Sequence, residues 1–300
     1  MRTAVTGATG YIGRHLLAAI LERGWDVCAV VQPLDETPLP AAVARIPDPG
    51  SAADLAVALA TFQPDVVMHL AACQDLTDGP AASDSLTEAN LGFGARALSA
   101  AHAAGARAFV AAGTYSVHVT GTAEYAPQTL YAATKQAFLS ISEYYRRNTP
   151  LRTVMLELSD TYGPGDARPK FLNLVASAAV SGETLEASPG DQQVRPLHVD
   201  DIVEAFIHAA TLILEGVHLG AVYSVAGPEA VTLRELVDEF ERATGRPVPI
   251  RWGARPYRAR EIMRPWAGNP LPSWQPRIEL AVGLRGVYAR PSGEERHADD

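Results

Sequence analysis

The chain has 300 residues, of which 47% are hydrophobic and 20% are charged, and its formal net charge is −9. This composition is typical of a globular protein and excludes disorder over most of the length, which allows one large domain or two modest ones of about 100–200 residues each. The negative charge disfavours nonspecific binding to nucleic acid, whereas locally clustered arginines are compatible with an anionic substrate.

Over the first half of the chain, short runs of branched apolar side chains alternate with helical patterns. The runs predict strands at residues 3–6, 26–31, 65–70, 108–111 and 152–158. The stretches between them predict helices near residues 11–23, 51–61, 83–104 and 130–147. Continuous apolar strands are typical of strands that are buried on both faces. We therefore predict an α/β fold with a Rossmann-type, doubly wound parallel sheet.

The pattern changes after Gly163-Pro164-Gly165. Helices are predicted near residues 170–181, 200–214 and 232–244, separated by short strands and Gly/Pro-rich loops, and residues 252–276 predict loop and short helix over a cleft. We expect a dinucleotide-binding Rossmann domain at 1–162. A smaller α/β substrate-binding subdomain is expected mainly at 163–290, with some segments returning to the first domain, and a disordered tail at 291–300.

Three glycines, Gly7, Gly10 and Gly13, lie between the first predicted strand and the first helix. Glycines at this spacing let the backbone approach a pyrophosphate, and the helix N-terminus offers unpaired N–H groups to its charge. The pattern therefore predicts a dinucleotide site that includes the neighbouring Tyr11 and Ile12. A simple strand-to-helix turn is the alternative interpretation.

The end of the second strand indicates which nicotinamide cofactor is used. An NAD site usually has an acidic residue there, which holds the ribose hydroxyls. Here the strand ends before Gln32, and the nearest acid, Asp35, lies beyond Pro33. Arg14 follows the third glycine and supplies a positive charge for a 2′-phosphate. These residues favour NADP(H), with NAD(H) as the alternative.

Tyr131 and Lys135 are four residues apart on a predicted helix and so share one face. A phenol ionises near pH 10, and a nearby ammonium is expected to bring that pKa toward neutrality. Of 25 basic residues only Lys135 and Lys170 are lysines, which suggests positions that need a compact ammonium. Thr114 ends a predicted strand at the edge where open α/β sheets build their sites.

Several motifs together resemble a known family over residues 1–285. They are the glycine pattern, Asp65-Val-Val-Met-His-Leu-Ala-Ala72, Asn90, Thr114, the Tyr131/Lys135 pair, Tyr162-Gly163-Pro164 and Arg195-Pro-Leu-His-Val-Asp-Asp201. The chain resembles the extended short-chain dehydrogenase/reductases, in the NAD-dependent epimerase/dehydratase family. Within it, residues 130–138, 159–166 and 255–263 are similar to C4-ketoreductases of nucleotide-linked 4-keto-6-deoxyhexoses.

The resemblance implies roles for individual residues. Tyr131 would donate a proton, Lys135 would lower its pKa and hold the nicotinamide ribose, and Thr114 would replace the commoner serine beside the substrate carbonyl. The cofactor would contact the backbone of Gly7–Gly13, with Ala71 and Ala72 lining its cleft and Asn90 supporting the backbone there. Arg195, Arg168 and Lys170 would bind the phosphates of a nucleotide sugar.

Two departures from the family pattern stand out. Asp160 replaces the Asn that often precedes the Tyr-Gly-Pro turn, which puts the phosphate contact there in doubt. Dehydratases carry Asp-Glu directly after the catalytic Thr, where this chain has Tyr115 and Ser116. Dehydration is therefore not expected. The histidines show no metal-ligand spacing, and no metal is expected.

The leading functional prediction is reduction of the C4 ketone of a TDP- or CDP-linked 4-keto-6-deoxyhexose with NADPH, in a bacterial antibiotic or glycan pathway. A 4-epimerase with bound NAD, a ketoreductase of a non-sugar natural product and a non-catalytic dinucleotide sensor remain alternatives, since fold does not fix substrate. An intact Thr, Tyr and Lys set argues against the sensor.

Composition also bears on location and partners. No run approaches the roughly 18 apolar residues of a membrane span, and the first residues lack the pattern of a signal peptide. Two cysteines, Cys28 and Cys73, are too few for a disulfide framework. We therefore expect a cytoplasmic protein with no membrane or nucleic-acid partner; a homodimer is left open.

Overall fold

The computed structural model describes residues 1–77 and 79–288. The predicted tail at 291–300 and the end of the second predicted domain at 290 lie outside the described residues. Within them, no helix combines the length and the apolar character needed to cross a membrane.

The first half of the chain alternates strands and helices, largely as predicted. Its elements are β1 (Arg2–Thr6), α1 (Tyr11–Glu22), β2 (Asp26–Val31), β3 (Val43–Pro47), α2 (Ala52–Phe62), β4 (Val66–His69), α3 (Pro80–Leu86), a π-helical turn (Thr87–Gly92), α4 (Phe93–Ala103), β5 (Ala108–Thr114), a 3₁₀ turn (Tyr115–Val117), α5 (Leu130–Asn148) and β6 (Arg152–Leu158).

The second half has shorter strands. Its elements are β7 (Thr161–Tyr162), α6 (Phe171–Ser181), β8 (Leu185–Glu186), β9 (Gln193–Val194), β10 (Leu197–His198), α7 (Val199–Leu214), β11 (Val222–Val225), β12 (Val231–Thr232), α8 (Leu233–Thr244), β13 (Ile250–Arg251) and α9 (Leu280–Tyr288).

Seven strands form one parallel sheet in the order β11-β6-β5-β4-β1-β2-β3. The chain starts in the middle of the sheet, extends to one edge through β2 and β3, and then returns to build the other side. The connections that leave the neighbouring strands β1 and β4 therefore run to opposite sides, and open sheets bind ligands at the carboxyl ends of such a pair. The predicted Rossmann-type α/β fold is confirmed.

Helices cover both faces of this sheet, because alternate strand residues point to opposite sides. On one face, side chains such as Val110 pack with α1 and α7. On the other face, Phe109 and its neighbours pack with α2, α4 and α5. A separate core around Val175, Phe240 and Leu284 joins α6, α8 and α9. Helix α7 and strand β11 return from the second half to the main sheet.

Several elements differ from the sequence prediction. Helix α9 was not predicted, and the described residues 252–276 contain no helix, although a short one was expected there. Strand β3 was not predicted, because it lies at the sheet edge, where Val43 is buried but Arg45 is exposed. The predicted helix over 83–104 begins earlier and contains the π-helical turn, which carries the buried Asn90. Such turns insert one extra residue per turn and are frequent at functional sites.

Candidate active site

A cleft of about 790 Å³ runs along the carboxyl ends of β1, β4, β5 and β6. Its far wall is built by the second half of the chain. Eleven of the predicted site residues line it: Gly7, Gly10, Tyr11, Ile12, Gly13, Ala72, Thr114, Tyr131, Lys135, Arg168 and Lys170. The fold therefore gathers the glycine pattern and the Thr, Tyr and Lys set around one cavity, whose volume suits a small-molecule ligand.

The glycine turn fits closely against its neighbours. Gly7 has φ +70°, and a Cβ on it would lie 2.5 Å from the backbone nitrogen of Ala71. A Cβ on Gly13 would lie 2.1 Å from the carbonyl oxygen of Gly7. Because neither position has room for a side chain, the turn brings bare backbone and the N-terminus of α1 to the cleft.

Helix α5 positions Tyr131 and Lys135. The hydroxyl of Thr129 caps the helix by accepting the Ala132 N–H at 3.2 Å, so Tyr131 lies in the first turn. The ammonium of Lys135, one turn later, lies 6.0 Å from the Tyr131 ring centroid. Only 2% of Lys135 is exposed, and burial lowers the pKa of its ammonium to about 8.

The phenol of Tyr131 differs from the sequence expectation. Burial raises its pKa to about 12, and the positive charge that opposes this rise is that of Arg168. The pKa is therefore raised where a lowering was expected, because removal of the phenolate from water dominates. Tyr131 is a protonated phenol at neutral pH, the form that donates a proton.

Thr114 lies at the end of β5, beside Leu158 of β6. Its hydroxyl oxygen accepts the Ser116 N–H at 3.3 Å and lies 2.8 Å from the Ser116 hydroxyl. This local network fixes the Thr114 hydroxyl on the cleft wall that Tyr131 shares.

Asn90 holds the segment after β4 against α5. Its side-chain oxygen accepts the Cys73 N–H at 2.8 Å, and its amide nitrogen donates to the Cys73 carbonyl and to the Thr134 hydroxyl, both at 3.0 Å. Thr134 in turn donates to the carbonyl of Tyr131 at 2.8 Å. Asn90 thus contacts the backbone of the site and is not part of the cleft lining.

The sequence interpretation of the second strand is wrong on one point. The loop after Pro33 folds back, and the Asp35 carboxylate accepts the hydroxyl of Thr9, in the glycine turn, at 2.7 Å. Hydrogen bonds from Thr37 and Thr9 lower the pKa of Asp35 to about 2. A carboxylate therefore does lie beside the glycine turn, where none was expected.

Four further residues of the predicted site do not line the cleft. Arg14 and Gln32 are exposed, and Ala71 backs the turn at Gly7. Arg195 directs its Nη1 to the backbone carbonyls of Gly227 and Pro228, each at 3.0 Å.

Arg168 and Lys170 both line the cleft, but they differ in their charged partners and in their burial. The Arg168 guanidinium binds the Asp166 carboxylate through two nitrogens, at 2.6 and 2.7 Å, and stacks 4.5 Å from the Tyr11 ring centroid. Burial, and then the charge of Arg168, lowers the pKa of Lys170. Lys170 is thus a partly desolvated cation on the cleft wall.

Other cleft residues were given no role from the sequence. They are mainly on the far wall and include Tyr115, Asp160, Glu186, Gln192, Gln193, Arg255, Arg258 and Glu261. The similarity of residues 159–166 and 255–263 to the ketoreductases covered Asp160, Arg255, Arg258 and Glu261, and it did not reach Glu186, Gln192 and Gln193. It marked the segments without indicating which side chains face the cavity.

The cleft fits a nicotinamide dinucleotide. The glycine turn excludes any Cβ where a pyrophosphate needs bare backbone, and Lys135 places a buried ammonium at the catalytic end, where ribose hydroxyls suit it. The parallel sheet, this turn and the Thr114, Tyr131 and Lys135 set together define an extended short-chain dehydrogenase/reductase.

Comparison with protein families agrees with this class. The model described as "NAD dependent epimerase/dehydratase family" matches residues 3–226. The chain belongs to this family and is therefore an enzyme.

Individual relatives differ in what they do. A CDP-abequose synthase from Yersinia pseudotuberculosis is 25% identical over 275 residues, covering 88% of this chain and 92% of the relative. A 3-diazoavenalumate denitrifying reductase from Streptomyces sp is 28% identical over 261 residues, covering 83% of each. A UDP-glucose 4-epimerase from Thermus thermophilus, solved with NAD, has a TM-score of 0.79 at 26% identity, covering 96% of this chain and 98% of the epimerase.

Proposed function

We propose that this enzyme reduces the C4 ketone of a nucleotide-linked 4-keto-6-deoxyhexose. The observation that carries the proposal is that Tyr131, Thr114 and Lys135 line one cleft with the glycine turn. Tyr115 and Ser116 follow Thr114, so the acid–base pair that dehydration requires is missing at those positions. Similarity to a CDP-abequose synthase over most of both chains supports a nucleotide-sugar substrate.

The chain's own residues account for the proton side of this reaction. A bound reduced nicotinamide supplies the hydride. Tyr131 gives its phenolic proton to the carbonyl oxygen as that oxygen gains negative charge, and the Thr114 hydroxyl hydrogen-bonds to the same oxygen. The buried Lys135 ammonium stabilises the phenolate that is left behind. Ketone, hydride and proton together give the alcohol.

Cations on the cleft walls are proposed to bind the substrate diphosphate. Lys170 is the strongest candidate, because its charge is partly desolvated and faces the cleft. Arg168 shares its charge with Asp166, so its contribution is smaller. Arg195 reaches the diphosphate only if its guanidinium leaves the carbonyls of Gly227 and Pro228.

For the cofactor we propose NAD(H), which revises the sequence-based preference for NADP(H). The Asp35 carboxylate beside Thr9 repels a 2′-phosphate and accepts a 2′-hydroxyl. Asp35→Asn removes the charge and keeps the shape, so it should lower the KM for NADPH by roughly 10- to 150-fold, the size of one charged contact. If the wild-type enzyme prefers NADPH and Arg14→Ala abolishes that preference, the NAD(H) proposal is wrong and the cofactor is NADP(H).

The main test is turnover of CDP- and TDP-4-keto-6-deoxyglucose with NADH and with NADPH. The expected result is stoichiometric consumption of the reduced cofactor and a new C4–H bond, whose configuration is read by NMR. The better of the two substrates identifies the nucleotide. Absence of turnover with both sugars and both cofactors would refute the proposal.

An NDP-sugar 4-epimerase is the second candidate, favoured by the likeness to the Thermus UDP-glucose 4-epimerase solved with NAD. An epimerase oxidises and re-reduces the same C4 and needs no added cofactor. Purified enzyme that retains NAD⁺ and converts UDP-glucose to UDP-galactose without NADH would establish this activity. Reduction of a non-sugar ketone, suggested by the Streptomyces reductase, predicts no turnover of any nucleotide sugar.

A further inference from the structure

The two departures from the family pattern, Tyr115 and Asp160, contact each other. Strands β5 and β6 pair Thr114 with Leu158, so the residues that follow them lie side by side at the carboxyl edge. The Tyr115 hydroxyl donates to Oδ1 of Asp160 at 3.2 Å. Both residues line the cleft that holds Thr114 and Tyr131.

Burial and the charge of Asp160 keep the phenolic proton on Tyr115. The pKa of the Tyr115 phenol is raised well above its usual value, first by burial and then by the negative charge and hydrogen bond of Asp160. The phenol is therefore protonated throughout the working pH range. Burial raises the pKa of the Asp160 carboxyl, and the positive charge of Lys170 and the hydrogen bond from Tyr115 oppose this rise.

The hydrogen bond to Asp160 also decides whether the Tyr115 hydroxyl can donate to a ligand or accept from it. A phenol has one proton, and that of Tyr115 is directed to Asp160. Oδ2 of Asp160 is buried with no hydrogen-bond partner among the described residues, so the pair has no second donor to satisfy it. With its proton donated to Asp160, the Tyr115 oxygen can only accept a hydrogen bond from a ligand in the cleft that Tyr115 lines.

We propose that Tyr115 is a specificity-determining residue that accepts a hydrogen bond from a substrate hydroxyl on the carbon next to the reacting ketone. Tyr115 directly follows Thr114, for which we propose a contact with the ketone oxygen, and both residues line the same cleft; on that proposal the Tyr115 phenol is the neighbouring group for the adjacent carbon. Asp160 is a positioning residue that holds the phenol in this orientation. The inference rests on the proposed function and narrows its substrate to α-hydroxyketones.

In a 4-keto-6-deoxyhexose this hydroxyl is the one on C3, because C5 carries the ring oxygen and the methyl group. The decisive comparison is therefore between CDP-4-keto-6-deoxyglucose and its 3-deoxy analogue. In the wild type, loss of the 3-hydroxyl leaves the buried Tyr115 oxygen without a donor, and kcat/KM should fall by roughly 5- to 150-fold.

Tyr115→Phe removes the acceptor, so the ratio of kcat/KM for the two sugars should fall to about one. Asp160→Leu removes the acceptor that orients the phenol and should reduce the ratio, whereas Asp160→Asn retains an oxygen acceptor at that position and should keep more of it. Tyr144→Phe, at a side chain that is 61% exposed on α5, is the matched control and should keep the wild-type ratio.

The outcomes separate this inference from the proposed function. Equal kcat/KM for the two sugars in the wild type, or an unchanged ratio in Tyr115→Phe, overturns the role of Tyr115 and leaves ketone reduction intact. No turnover of either sugar by the wild type overturns both. Each ratio compares two substrates on one preparation, so a partly unfolded variant lowers both rates together and does not alter it.

Discussion

Burial acts in opposite directions on the pKa of the Tyr131 phenol and on that of the Lys135 ammonium. It raises the pKa of the Tyr131 phenol to about 12 and lowers that of the Lys135 ammonium to about 8, so the ammonium becomes the more acidic of the two groups. Each group is thereby biased toward its neutral form, and a charge that develops on the phenol is stabilised by the neighbouring ammonium. The spacing of the pair is visible in the sequence, but its electrostatics come from the tertiary fold.

Tyr131→Phe should lower turnover by roughly 10²- to 10⁴-fold, the usual contribution of a general acid. The aromatic ring is retained in the first turn of α5, whereas the proton donor is gone. The measurements are turnover with NADH and the proposed sugar, and NADH affinity and thermal unfolding of the same preparation. Affinity and unfolding should be nearly unchanged, and near wild-type turnover would remove Tyr131 from the mechanism.

Lys135→Arg conserves charge but should reduce kcat by more than about 100-fold, because the site is 2% exposed and a planar guanidinium does not replace a compact ammonium there. The matched control is Arg147→Lys, at a 70% exposed cation on the same helix, which should change turnover and stability little. An active Lys135→Arg enzyme would show that charge alone suffices.

At the scale of elements, the glycine turn is the part of the site that has least room for an added side chain. Gly13→Ala should abolish measurable dinucleotide binding, because its Cβ would lie 2.1 Å from the Gly7 carbonyl oxygen. Gly286→Ala is the matched control, since Gly286 is also helical and nothing lies within 4 Å of its Cβ position. It should keep NADH affinity and gain about 0.5–1 kcal/mol of stability. Titration of both variants with NADH checks this, and equal affinities would contradict the importance of the close fit.

The elements that the sequence predicted are those with strong local patterns. Continuous apolar runs marked the central strands, and β2 and β6 have the predicted bounds. Edge strand β3 has too few buried residues for such a pattern. The π-helical turn was missed because its extra residue per turn is set by the contacts of Asn90 with Cys73 and Thr134.

The same distinction applies to the site. Tyr131 and Lys135 are one helical turn apart, so their spacing, together with the glycine pattern and the strand that ends at Thr114, marked them as candidates. Thr9 and Asp35 are 26 residues apart, and Tyr115 and Asp160 are 45 apart. Such pairs depend on a loop conformation or on strand register, which residue identity does not give. This is why the cofactor that we propose from the structure differs from the one that the sequence favoured.

At the scale of the whole molecule, a buried pair joins the loop after β5 to the sheet and to the C-terminal half. His118 lies 3.2 Å from the Glu157 carboxylate and 3.1 Å from the Glu124 carbonyl. Its ring also packs edge-on against Trp266, with centroids 4.4 Å apart. Burial disfavours the charged form of His118, but the hydrogen bonds to Glu157 and Glu124 outweigh it and raise the pKa of the imidazole.

This pair should make the stability that His118 contributes depend on pH. The pKa of His118 is raised in the folded protein. Its contribution to the free energy of unfolding is therefore fully present below the pKa of the unfolded chain, about 6.5. That contribution is lost as pH rises through the pKa of the folded protein. His118→Gln should therefore cost about 3–5 kcal/mol near pH 6, the penalty for breaking a buried ion pair, and less at pH 8.5. Urea unfolding at both values checks this, with His102→Gln on the exposed side of α4 as the control. The loss of stability in the control should be the same at both pH values. An equal loss of stability in His118→Gln at both pH values would show that the imidazole joins the two halves as a neutral packing group.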